Sequence, residues 1–279
     1  MTAPEGRRTI PLAEVTLPHQ CPAPVRLGVL SRSAYFHGLD AAALEGIDRR
    51  MRTATIAADE AVFRAGEEAS ALYVVAEGRV RMSQPTPSGA LVVTDILGPG
   101  AMFGAMSSLG EPVHQRTATA LVGSCVLQIG QAAFREVMVE QPVVGLRVVD
   151  DLAERLSRAQ TDLGGQGPDT VEQRVARALL RLAETLGEDR GAQGLLLEVP
   201  LSRADLAGLA RSTPESVSRV MSRLRREGII DSGRRWTSIL DRGAGGGGRP
   251  GGGGRRGGGA PAAPGGRGRE GPRRGAPRG

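Results

Sequence analysis

A chain of 279 residues has room for two modest domains with separate cores, and its two cysteines, Cys21 and Cys125, are too few for a disulfide framework or a four-thiolate cluster within one chain. The formal net charge of +6 is misleading, because residues 242–279 hold nine Arg and one Glu and leave residues 1–241 at −2. Any long-range pull on nucleic acid therefore comes from the tail or from local clusters. All 36 basic residues are Arg, which with abundant Ala, Gly and Pro reflects GC-rich coding, so Arg is not by itself a functional signal.

The first twenty residues mix acids, bases and Pro without the apolar centre of a signal peptide. A cytoplasmic location is expected. Residues 40–51 predict a short helix. From 56 to 129, glycines 66, 78, 89, 98, 110 and 123 punctuate β-rich runs at 72–75, 80–82, 91–96 and 121–129, the spacing of an all-β sandwich or barrel. The longest uncharged stretch, 117–134, is broken by Gly123, Gln128, Gly130 and Gln131, so it predicts buried strand and turn, not a membrane span. Residues 131–139 begin a helix, and Pro142 allows a second to start. That second helix carries Gly145, Val149, Leu152, Leu156, Ala159 and Leu163 at alternating spacings of four and three. This is the stripe a two-stranded coiled coil buries, with packing on the chain's own β-domain as the alternative. Residues 164–168, Gly-Gly-Gln-Gly-Pro, break it. Thr170 restarts a helix with Val171, Val175, Ala178, Leu179, Leu182 and Leu186 on one side, ended by Gly187, and a strand at 195–199 follows.

The most informative segment is 201–230. Ser202 with Asp205 forms a capping box for a helix that buries Leu206, Leu209 and Ala210, and Thr213 caps a second helix with Pro214 at its first position. In the second helix Val217, Val220, Met221 and Leu224 share a face. Glu215, Ser218, Arg219 and Ser222 repeat that spacing two residues earlier, about 200° around the axis. Arg can bond guanine O6 and N7 together and Glu can accept from cytosine N4, so this outer face suits the major groove. A solvated face on a structural helix is the bland alternative. Thr213, Ser222 and, on the first helix, Arg203 complete the candidate DNA contacts. Gly228 closes the helix, and 229–230 with 236–240 flank a turn at Ser232-Gly233, the wing of a winged helix. Beyond 242 no core is possible, and disorder is expected.

This order of parts resembles the Crp/Fnr bacterial transcription regulators over residues 36–241. The sensor half rests on Arg64-Ala65-Gly66-Glu67, on 73–78 with Val80, and on 99–104, which look like the cyclic-nucleotide-binding β-roll; the more specific motif is 213–219. The resemblance implies an α+β chain: an arm (1–33), a jelly-roll-like β-roll sensor (34–140), a dimerisation helix (141–163), a hinge (164–169), a winged helix-turn-helix (170–241) and a tail (242–279). Glu215, Ser218 and Arg219 match the Glu-x-x-Ser-Arg pattern of the Fnr-like branch, which implies TTGAT-type half-sites. Pro214 stands where the cyclic-AMP-receptor branch has a further Arg. Arg211 departs from the pattern, since Gly is commoner in that turn. The implied partners are double-stranded DNA, a second copy of the chain and RNA polymerase, with no membrane.

For the effector, the resemblance marks Gly104, Ala105, Arg116 and Thr117. Arg116-Thr117 keeps the family's clamp for a cyclic phosphate, while Ala105 stands where cyclic-AMP binders place a Glu for the ribose hydroxyl. A lost charge-assisted bond is worth about 1.5 to 3 kcal/mol, so a cyclic nucleotide is disfavoured. Arg116 as a structural ion pair is the alternative. The Fnr branch holds an iron-sulfur cluster on four cysteines, which two cannot supply. Cys21, in His19-Gln20-Cys21-Pro22, is the candidate redox thiol. His37 and His114 are taken as surface or packing residues before haem ligands. The competing function is a nucleic-acid-coating protein acting through the Arg-Gly tail. Three scattered His, with no metal-ligand spacing or phosphate loop, do not support an enzyme.

Overall fold

The computed structural model describes residues 21–241 apart from 88, 105–112, 164–168, 192–193 and 234, and without the side chains of 155 and 158–163. The expected hinge segment 164–168, Gly110, the first twenty residues and the tail lie outside the described residues.

Strand β3 (Ala71–Glu77) is buried everywhere but at Tyr73 and Glu77, so it is covered on both faces. Alternation sorts its side chains: Leu72, Val74 and Ala76 enter one core, and Tyr73 and Val75 another. It lies in a sheet of order β1-β8-β3-β6, with β1 (Arg52–Ile56), β8 (Ser124–Gly130) and β6 (Met102–Phe103). A second antiparallel sheet of order β2-β7-β4-β5 contributes Phe63, Val80, Met82 and Ala118 to the core shared with Tyr73 and Val75. Its strands are β2 (Ala61–Phe63), β7 (Thr117–Ala120), β4 (Val80–Pro85) and β5 (Leu91–Leu97). The expected run at 121–129 divides here, because Ser124 Oγ donates to Val122 O at 2.7 Å and accepts from Arg79 N at 3.1 Å, turning the chain before β8 begins. Gly78, at φ +87°, passes so close to this corner that a Cβ would lie 2.8 Å from Gly123 O.

Helices cover the other face of the first sheet. The expected arm at 1–33 is corrected in its described part: Cys21 and α1 (Ala23–Leu30) belong to the sensor core. Val29, Leu30, Tyr35 and Phe36 are buried with Phe134, Val137, Val144 and Val148, because that face needs an apolar lid. Asp40 caps α2 (Ala41–Arg49), and Arg26 joins Asp48 through two bonds of 2.8 and 2.7 Å, which fixes α1 on α2. Helices α3 (Gln131–Glu140) and α4 (Pro142–Leu163) follow. Tyr35 Oη donates to Asp151 Oδ2 at 2.5 Å, tying α4 to the sensor.

The stripe expected along α4 splits in two. Val144 and Val148 are buried and Leu152 packs against the sensor core, whereas Leu146, Val149 and Leu156 are 66%, 60% and 60% exposed. Val143 lies on the same exposed side. The side chains of Ala159 and Leu163 are outside the described residues.

The last unit opens on α5 (Val171–Leu186), with a capping box between Thr170 and Gln173, and holds α6 (Arg203–Leu209) and α7 (Pro214–Arg226). Its sheet, of order β11-β12-β10-β9, joins β9 (Gly187–Asp189), β10 (Leu195–Leu197), β11 (Ile230–Ser232) and β12 (Thr237–Ile239), and the hairpin β11-β12 is the expected wing.

The last unit is seated on the second sheet of the β-sandwich. Val93 and Ile96 of β5 share a core with Leu179, Leu206 and Val217. Asp205, buried in α6, accepts from Ser202 N at 2.8 Å and also from Arg81 Nη1 of β4 at 3.3 Å. Gly208 faces the β5 backbone, where a Cβ would stand 2.7 Å from both N and O of Val93. In a free helix Gly→Ala stabilises by about 1 kcal/mol. Here Gly208→Ala is expected to destabilise by about 1–3 kcal/mol, because α6 must lift off β5. Calorimetry reads this as a lowered melting temperature, and an unchanged or raised one would mean that the contact does not hold.

Candidate nucleic-acid interface

Helix α7 starts where its sequence demands. Thr213 Oγ1 accepts from Ser216 N at 3.3 Å, and Pro214 supplies a preset φ at the first position. Val217, Val220, Met221 and Leu224 are buried, while Glu215, Arg219 and Ser222 are exposed and Ser218 is half-buried. The two faces expected from spacing are therefore both present. Ser216, which spacing did not single out, holds this face together: Arg219 Nη2 donates to Ser216 Oγ at 3.2 Å, and Ser216 Oγ lies 3.2 Å from Thr213 Oγ1. Its position three residues from both neighbours is the signal that would have found it.

Glu215 is held below the usual carboxylate range by a hydrogen bond from its own backbone and by the Thr213 side chain, with Arg219 nearby. It stays ionised at neutral pH, and an ionised carboxylate accepts only, as a cytosine amino group requires. Between α7 and the first turn of α5 lies a groove of 760 Å³, lined by Thr170, Glu172, Ser218, Arg219, Ser222 and Arg226 among others. Arg203 stands exposed at the start of α6 and does not line this groove. Glu172, Arg223 and Arg226 were not singled out from sequence. The two arginines lie four and seven residues beyond Arg219, a recoverable signal, but nothing local marks Glu172.

The turn between α6 and α7 forms despite Arg211. That residue takes φ +47°, in the left-handed region, and Ser212 N donates to Ala207 O at 2.9 Å to close the helix end. Arg174 supports the turn from α5, with Nε donating to Ala210 O at 2.8 Å. A Cβ in this region costs about 1–2 kcal/mol, partly offset by the greater freedom of Gly in the unfolded chain. Arg211→Gly is expected to stabilise by about 0.5–1 kcal/mol, read as a higher urea midpoint. A lower midpoint would count against strain at this site.

The sensor residues fall differently. Gly104, at φ +81°, ends β6, and Ala105 lies outside the described residues. Thr117 is buried, and its Oγ1 accepts from Ala65 N at 3.1 Å, while Arg116 is half-buried. His114 is buried and stacks on Phe63 at 3.6 Å between ring centroids, beside Tyr73 and Phe103. Burial holds its imidazole below the ordinary value against the pull of Glu67, so it packs as a neutral ring. The redox expectation for Cys21 is corrected. Cys21 is 4% exposed and shares one buried cluster with Cys125. Burial raises the Cys21 thiol and pushes Cys125 up to about 12, the reverse of what a reactive thiolate needs. Among the described residues, no group of three or more His, Cys, Asp or Glu is placed to hold a metal ion, and no helix is long and apolar enough to cross a membrane.

Two family descriptions match the chain: a cyclic nucleotide-binding domain over residues 53–141 and a Crp-like helix-turn-helix domain over 173–244. The chain is 32% identical to the transcriptional regulator LdrP of Thermus thermophilus, over 66% of this chain and 90% of that protein. It is 31% identical to the nitrogen fixation regulation protein FixK of Bradyrhizobium diazoefficiens, over 75% of this chain and 86% of the relative. The solved structure of FixK2 from Bradyrhizobium japonicum superposes with a TM-score of 0.60 at 25% identity, covering 70% of this chain and 95% of that one. With its β-sandwich, winged helix and matching family descriptions, the chain belongs to the Crp/Fnr family of DNA-binding transcription regulators, which are not enzymes.

Proposed function

We propose that the protein acts as a cytoplasmic homodimer on an inverted-repeat operator with TTGAT-type half-sites, whose centres lie about one helical turn (34 Å) apart. The observation that carries this reading is the outer face of α7, where Glu215 and Arg219 stand exposed opposite a fully buried face and Arg219 is held by Ser216. The apolar side of α4, with Leu146, Val149 and Leu156, supports a second copy as the partner that covers it. The N-terminal domain answers a small-molecule effector, and RNA polymerase is the machinery the bound dimer acts on. The lost carboxylate at Ala105 argues against cyclic AMP as that effector.

Fluorescence anisotropy on a TTGAT-N4-ATCAA duplex and a scrambled control, at physiological salt with and without cyclic AMP, tests the proposal. Tight binding to the first duplex alone, indifferent to cyclic AMP, is the expected result. A response to cyclic AMP overturns the reading of Ala105. Equal binding to both duplexes, lost when residues 242–279 are removed, hands the function to the Arg-Gly tail.

A further inference from the structure

Glu172 and Arg223 form an ion pair across the groove that borders the reading face. Glu172 lies in the first turn of α5 and Arg223 in the last turn of α7, and the pair joins Oε2 to Nη2. The position of Glu172 is set on both sides. Gln173 N donates to Thr170 Oγ1 at 3.2 Å and Thr170 N donates to Gln173 Oε1 at 2.9 Å, while Arg174 ties the same turn to Ala210 O. Arg223 keeps a solvent-facing part, with 42% of its side chain exposed, although its Nε is buried and finds no partner among the described residues. It lies four residues beyond Arg219 and three before Arg226, so all three guanidinium groups line one groove.

Those three arginines would not serve DNA equally. An Arg that bonds a base edge reads sequence, whereas one that bonds phosphate adds affinity for every sequence and so lowers discrimination. An Arg neutralised by a fixed carboxylate releases no counterion from the duplex. We infer that Glu172 is a specificity-determining residue of the reading surface: by engaging Arg223 it withholds that guanidinium from the phosphates of any duplex and leaves Arg219 to discriminate. The inference rests on α7 as the reading helix.

The test uses full-length protein, so that the tail contributes the same term to every variant. Anisotropy titrations between about 50 and 200 mM salt are run on a mixed-sequence duplex and on the duplex that the wild type enriches from a random pool. Glu172→Gln is expected to bind the mixed-sequence duplex roughly fivefold to tenfold more tightly, with a salt slope steeper by about 0.9 per subunit and a smaller preference for the enriched duplex. Arg223→Gln is expected to keep the wild-type slope, and the double variant to return to it. Glu45→Gln, at an exposed position on α2, adds the same unit of net charge and is expected to leave the slope unchanged.

A wild-type slope in Glu172→Gln overturns the inference, as does a gain no larger than that of Glu45→Gln. A slope lowered by about 0.9 in Arg223→Gln also overturns it, since that guanidinium would then already hold a phosphate. This last outcome decides the matter even if Glu172→Gln fails to fold. A wild type that shows no preference for its enriched duplex defeats the reading of α7 itself, which is a separate failure.

Discussion

Replacing Arg219 with Ala is expected to cost about 1 to 3 kcal/mol per half-site on a TTGAT-type duplex, roughly fivefold to 150-fold in affinity, and to leave scrambled DNA bound as before. The size follows from geometry. A guanidinium bonds guanine O6 and N7 together, and in this protein the group is already oriented by Ser216 Oγ at 3.2 Å, so little side-chain freedom is lost on binding. Substituting the guanine at the contacted position in wild-type DNA should cost about as much as the Ala variant does, and combining both should add little further loss. Anisotropy on the four duplex and protein combinations reads the coupling. If the Ala variant discriminates as the wild type does, Arg219 does not read a base.

The second large effect is expected from Leu146→Glu. Single exposed apolar residues are ordinary, but Val143, Leu146, Val149 and Leu156 share one side of a helix whose opposite side is already buried. Covering such side chains with a second copy contributes about 1 to 2 kcal/mol each. A carboxylate in the middle of that seam is desolvated without a partner, a cost of several kcal/mol that two-fold symmetry imposes on both subunits. Leu146→Glu should therefore sediment as one chain. It should also lose operator affinity by a factor of about 10² to 10⁴, because two linked half-site contacts become two separate ones. A variant that remains dimeric would place the seam elsewhere. Its circular dichroism should match the wild type, since Leu146 is 66% exposed in the single chain.

Much of this molecule was legible before folding, and the legible parts share a cause. The caps at Thr170, Ser202 and Thr213, the two faces of α7 and the turn of the wing depend on residues within four positions of one another. Backbone geometry alone brings those groups together. The candidate reading residues Glu215, Ser218, Arg219 and Ser222 could be named for the same reason, and Arg211 could be seen as an irregular turn residue before its φ of +47° was known.

Tertiary structure decided what one-dimensional spacing leaves open. The stripe on α4 was visible, but its division between Leu152, packed at home, and Val149 and Leu156, facing outward, depends on where the first core lies. The placement of Cys21 beside Cys125, of Asp205 on Arg81, of Gly208 against Val93 and of Glu172 on Arg223 joins residues far apart in the chain. Such pairings follow from which elements stack, and stacking is set by the burial of whole faces, not by the residues that meet across them. The sequence by itself determined the parts and their local chemistry. Only the packed chain determined which of the α7 arginines is held by a carboxylate from another helix, because a charge's partner is fixed by distance in space.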